Sequence, residues 1–266
     1  MIHICVLKKL KNNSPILKGK VNFPLKKEFT KKIIKNKNDM ERRFLNELDE
    51  LKVAINKMAL LVNEQVESSF NILEDGTTEI VKIKQKDREI DALDNLVIAK
   101  CENLLALFQP VAGDLRFILS ALKVGNQLER CGDIAVNIVQ RINKIDHFSE
   151  LVSDIEIFEM ANVARIMVKD AITAFINQDT KLAEATYAKD DIVDEYNKRI
   201  FKQIIDKIKK NPENTEPYAH LIVLLRHIER LADHATNITE DVIFLTQNEI
   251  VTHKKKLQNF HLPEQD

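Results

Sequence analysis

Five glycines and six prolines among 266 residues leave little turn chemistry, and a chain so poor in both favours long helices over many short strands. Tryptophan is absent and tyrosine occurs three times, which removes the aromatic platform on which single-stranded nucleic acid stacks. Three cysteines, Cys5, Cys101 and Cys131, cannot all pair and form no CxxC; with no secretory signal, they predict a reduced, cytoplasmic protein. No apolar run approaches the roughly 18 residues that span a bilayer. Motifs are missing as well. There is no GxGxxG, P-loop, GxSxG or HExxH, the ExxH pairing of ferritin-like di-iron proteins is absent, and no nucleophile stands beside a base.

What is present begins with a charge asymmetry. Residues 1–39 carry eleven Lys against two acids, a net +9, so the rest of the chain holds about −10. This basic arm has no sustained periodicity, and Met40 stands directly before a periodic helix. The arm reads as a disordered or mis-started extension; the sharper alternative is a basic segment that touches anionic lipid, nucleic acid or an acidic partner.

From Met40 the period is helical: Leu45, Leu48, Leu51, Ile55, Met58 and Val62 step by three and four residues until "EDGTTE" interrupts them after Leu73. A second helix is predicted over 77–108, ending at "QPVAGD", and a third over 114–144. The same plan returns as helices over 150–176, from "NQDT" to 210, and over 218–250. "ERCGDIAVNI" at Glu129 recurs as "ERLADHATNI" at Glu229, a shift of 100, and "KDREIDALDNLV" at Lys86 recurs as "KDDIVDEYNKRI" at Lys189, a shift of 103, so the loop before the third helix differs in length between the copies. The expected architecture is all-α, with two tandem pseudo-repeated three-helix bundles at 40–147 and 148–250 and a polar tail at 251–266.

The repeated phrase places carboxylates. In the last helix Leu221, Leu224, Ile228, Leu231, Ala235, Ile238 and Val242 form an apolar stripe, and Ile222, Arg226, Glu229, Asp233, Asn237 and Glu240 run beside it. The third helix sets Ala121, Val124, Leu128, Ala135 and Ile138 in the core, with a row alongside that starts as Leu115, Leu119 and Leu122 and turns acidic at Glu129 and Asp133. The second helices add Asp87 with Asp91, and Asp190 with Asp194. A single acidic i,i+4 pair is commonly a solvated surface. Four pairs at matching places in two repeats, each beside an apolar stripe, are not so easily solvent-facing filler. Unit charges about 4 to 6 Å apart at an effective dielectric near 20 cost a few kcal/mol per pair, so the carboxyl pKa values rise and a cation would relieve the repulsion. Oxygen donors select hard ions such as Mg, Mn, Ca or Fe(III), although Zn also accepts carboxylates. His227 and His234 read as surface groups or as groups that support such carboxylates, and Cys101 and Cys131 as packing residues.

At these residues a resemblance emerges. "QPVAGDLRFILSALKVGNQLERCGDIAVNIVQRI" and "IERLADHATNITEDV", with "KDREIDALD" and "KDDIVDEYN", resemble the doubled third- and second-helix motifs of the PhoU family of phosphate-transport accessory proteins, over residues 41 to 250. The resemblance implies a cytoplasmic, dimeric pair of three-helix bundles that represses the phosphate-starvation response and is not an enzyme. It implies contact with the ATPase subunit of the high-affinity phosphate ABC transporter and with a phosphate-sensing histidine kinase, no nucleic-acid partner, and membrane association only through those partners. It further implies a multinuclear metal (Fe, Mn, Mg or Zn) on Asp87, Asp91, Glu129 and Asp133 in the first bundle and on Asp190, Asp194, Glu229 and Asp233 in the second, with Asn137, Asn237, Arg130 and Arg230 as supporting partners. Cys131 stands where an aliphatic residue is common, and Ala232 where glycine is usual, opposite Gly132. The rival expectation from the same carboxylates is a metal store or a metal-dependent enzyme.

Overall fold

The periodic apolar positions form helices, and no strand occurs among the described residues. The computed structural model describes the backbone of residues 24–75 and 80–248, with side chains from 38 to 73 and from 80 to 248. The chain divides into two compact units, residues 1–43 and 44–266. Helix α1 spans Pro24–Asp75. Part of the basic arm expected to lack regular structure is therefore helical, starting with Pro24 at the first helical position, where its missing N–H costs nothing. Residues 1–23 and the tail 251–266 lie outside the described residues.

Within the second unit, α2 (Ile80–Phe108) and α3 (Ala112–Ile142) complete the first bundle. The second bundle departs from the expected three helices in two places. Its first helix is a single turn, α4 (Phe148–Leu151), followed by α5 (Ile157–Asn177). Its second helix is broken at Ala188 and Lys189 into α6 (Thr180–Tyr187) and α7 (Asp190–Lys210). The breaks follow local chemistry. The Asp179 side chain caps α6 by accepting from Leu182 N at 3.1 Å, and Asp190 and Asp191 open α7 while Lys207, Lys209 and Lys210 close it, each sign matching the helix dipole. After a 3-10 turn at Pro212–Asn214, α8 runs from Thr215 to Gln247.

Every residue assigned to the two core stripes of α3 and α8 is buried. One apolar cluster runs through both bundles, from Leu48 in α1 to Ile243 in α8, because α3 and α8 pack along each other. Their cross-contacts, Lys123 to Asp241, Gln127 to Asn237 and Arg141 to His220, show that the pair is antiparallel: one index rises as the other falls. No helix among the described residues is long and apolar enough to cross a membrane.

Candidate functional site: two acidic rows beside the core

Helices α2 and α3 are also antiparallel, and two glycines let them approach closely. A Cβ on Gly132 would meet Ile90 Cδ1 at 3.3 Å, and one on Gly125 would meet Asp94 Oδ1 at 3.4 Å. This brings the two acidic pairs of the first bundle into each other's field. Burial, and then the charges of Asp91 and Asp133, push Asp87 up, opposed by a hydrogen bond from Gln65. Burial and Asp133 push Glu129 up, with Asp94 and Asp91 adding to the effect and Arg130 opposing it. Arg130 Nε lies 3.4 Å from Glu129 Oε2 and its Nη1 3.8 Å from Asp133 Oδ2, yet Glu129 Oε2 is buried with no hydrogen-bond partner.

The second bundle repeats the arrangement with different partners. Asp190 and Asp194 at the start of α7 join Asp233 of α8 in lining a cleft of about 500 Å³, together with Tyr187, Arg226 and Arg230. Burial and Asp233 push Glu229 up, Arg226 opposes, and Asp194 adds to the rise. Arg226 pairs with Glu229 directly. Thr236 Oγ1 donates to Asp190 Oδ1 at 3.0 Å.

All eight predicted carboxylates thus lie on two rows flanking the core. Among the described residues no group of three or more His, Cys, Asp or Glu side chains is poised to hold a metal ion. In their place the rows are clasped by Arg130, Arg226, Gln65 and Thr236. The row donors are carboxylate oxygens, the type hard cations take, and one of them, Glu129 Oε2, is buried without a hydrogen-bond partner.

Three partners escaped the sequence reading. Asp94 extends the α2 row by i+7 from Asp87, and burial followed by Asp91 pushes its carboxyl up. Gln65 is fully buried in α1; its Nε2 donates to Asp87 Oδ1 at 3.1 Å and to the Gly132 carbonyl at 3.0 Å. A signal for it existed, a polar residue continuing the apolar stripe of Ile55, Met58 and Val62. Thr236 carried no such mark.

The predicted supporting residues divide. Arg130 sits in the first row, and Arg230 lines the cleft of the second. Asn137 is exposed, while Asn237 Nδ2 donates across the α3–α8 seam to Gln127 Oε1 at 3.2 Å. His234 belongs to the same seam, and burial with Arg230 and Arg130 pushes it down to about 4.

Two tandem helical bundles, the first with its acidic row on α2 and α3 and the second with its row on α7 and α8, define a duplicated all-helical scaffold. The family model for the PhoU domain matches it twice, at residues 55–142 and 157–242. Across 213 residues the chain is 36% identical to the phosphate-specific transport system accessory protein PhoU homolog of Aquifex aeolicus, covering 80% of this chain and 96% of that one. The Caulobacter vibrioides homolog of the same name is 35% identical, over 64% of this chain and 75% of its own. The crystal structure of PhoU from Pseudomonas aeruginosa superposes with a TM-score of 0.72 at 30% identity, covering 77% of this chain and 100% of that one. The phosphate transport system regulatory protein PhoU from Streptococcus pneumoniae superposes with 0.71 at 27% identity, over 78% of this chain and 99% of its own. The chain belongs to the PhoU domain family.

Proposed function

We propose that the chain regulates phosphate transport, restraining the phosphate-starvation response when phosphate is plentiful. The observation that carries this reading is the doubled PhoU domain match, together with relatives named as phosphate-specific transport system accessory proteins that are matched along most of their length. In this reading the chain works in the cytoplasm as a homodimeric adaptor and carries out no reaction of its own. It joins the ATPase subunit of the phosphate ABC transporter to a phosphate-sensing histidine kinase. Deleting the gene tests it: phosphatase expression and phosphate uptake are expected to rise in phosphate-rich medium, and unchanged levels overturn the role. A pull-down with the transporter ATPase tests the contact separately.

The two acidic rows are the proposed working surface. Asp87, Asp91, Glu129 and Asp133, and in the second bundle Asp190, Asp194, Glu229 and Asp233, would hold hard cations once Arg130 and Arg226 swing aside. A bound cation would neutralise the rows and present a positive face to an anionic group on a partner. Elemental analysis of the purified protein reads this directly. Asp133→Ala with Asp233→Ala is expected to abolish bound metal, and unchanged stoichiometry would sink the assignment.

A further inference from the structure

We infer that residues 24–40 form a basic amphipathic helix that lies on anionic lipid, a direct membrane contact in a family whose resemblance implies contact only through partners. The matched domains begin at residue 55, so the lysine-rich arm is no part of them. Relatives matched over 96% and 100% of their own lengths leave 20% and 23% of this chain unused. The arm belongs to a unit of its own, residues 1–43, and from Pro24 its backbone is helical. Every residue from 38 to 43 is exposed. A helix without a packed face is marginal in water, so a surface that covers one face stabilises it.

The residue types of this stretch divide by helical position. Leu25, Phe29 and Ile33 step by four and share one side of the helix; Met40, seven positions beyond Ile33, continues that row and is 58% exposed. Lys27, Lys31 and Lys35 also step by four, two positions out of phase, which sets them about 200° round the axis. Lys26 and Lys32 fall at the borders of the apolar row, the places from which lysine ordinarily reaches headgroups. Ile34 alone breaks the division. Six lysines stand against Glu28 and Asp39, a net +4, and five more lysines precede them. This pairing of charge with an apolar row selects the partner. A nucleic-acid backbone offers no apolar layer, and residues 1–39 hold no arginine, the residue suited to bidentate phosphate and base recognition. Anionic headgroups above acyl chains satisfy both rows at once. The rest of the chain carries about −10, so the arm and not the body is drawn to such a surface. No helix among the described residues can cross the bilayer, so the contact is one of lying on it.

Co-sedimentation of the full chain with lipid vesicles tests this. Vesicles of phosphatidylcholine mixed with phosphatidylglycerol are expected to bind it, vesicles of phosphatidylcholine alone are not, and added salt is expected to weaken binding. Lys27→Gln, Lys31→Gln and Lys35→Gln together are expected to lower the affinity about a hundredfold. Phe29→Asn with Ile33→Asn, which keeps every lysine, is expected to lower it about tenfold or more. These positions lie outside the matched domains, so a melting curve of each variant is expected to stay that of the wild type. Absent or equal binding to the two kinds of vesicle overturns the inference, as does binding that either set of substitutions leaves unchanged. Tighter binding to duplex DNA than to the anionic vesicles assigns the arm to nucleic acid and overturns it too. So does an intact mass showing that the protein made in its own cells starts at Met40. The phosphate-transport role is read by gene deletion and stands apart from all of these outcomes.

Discussion

His234 Nδ1 stands 2.7 Å from Gln127 Oε1 across the seam between the two bundles. Because Asn237 Nδ2 also donates to that oxygen, the oxygen is the acceptor and His234 is a neutral imidazole carrying its proton on Nδ1. The two residues are not repeat equivalents: Gln127 corresponds to His227, and His234 to Ile134. The duplicated copy of this bond cannot form, since isoleucine has no acceptor, and His227 Nδ1 is buried without a partner. His234→Leu is therefore expected to cost about 1 kcal/mol, while His227→Leu is neutral or stabilising, as read by urea denaturation. Equal losses would show that the seam does not distinguish the two histidines.

The Lys123–Asp241 pair is lopsided. Asp241 is 8% exposed, while the Lys123 side chain, 3.1 Å away, is 58% exposed. Burial pushes the Asp241 carboxyl up and outweighs the attraction of Lys123, with Glu240 adding to the rise. A carboxyl whose pKa is raised on folding binds protons more tightly in the native state, so its contribution to stability is present at low pH and lost as pH climbs through the raised value. Asp241→Asn is expected to raise the melting temperature at pH 7, with a gain that shrinks as the pH falls below the raised value. Lys123→Ala, which leaves the buried charge alone, is expected to lower stability by about 1 kcal/mol.

Cys101 and Cys131 are buried thiols, pushed by desolvation to about 11 and about 12, with Glu129 adding to the rise at Cys131. Thiolate is the reactive species, so neither is expected to be alkylated by iodoacetamide at pH 8 in the folded protein. Both should react fully in guanidinium, as peptide mapping would show. Rapid native labelling at Cys131 would contradict its place in the core.

Gly132 sits where the second bundle has Ala232, itself buried. A methyl there meets the flexible end of Ile90, which can yield, and clears Asp87 Oδ1 at 3.7 Å. Gly132→Ala is expected to change stability by less than about 1 kcal/mol, because helix propensity gained offsets crowding. Gly132→Val should cost about 2 kcal/mol or more by forcing α2 away from α3. Thermal melts of the two variants separate these outcomes.

Much of this protein was already determined by its sequence, because the physics concerned is local and periodic. Apolar residues at steps of three and four dictate helices and their buried faces, so the stripes of α3 and α8 were legible, as were the duplication and the flanking carboxylates. Start signals such as Asp179 and the Asp190–Asp191 pair were present too, but with no glycine or proline between Thr180 and Lys210 the interruption at Ala188 carried no breaker to mark it. The tertiary structure alone decided the rest. Gln65 and Asp87 are 22 residues apart and meet only through helix packing, while Gln127 and His234, 107 apart, meet only in the antiparallel register of α3 on α8. A repeat in the letters predicts two equal sites. In the structure Gln65 of α1 donates to Asp87 in the first row and Thr236 of α8 donates to Asp190 in the second, and these contacts are a property of packing across the chain, which no spacing within one helix encodes.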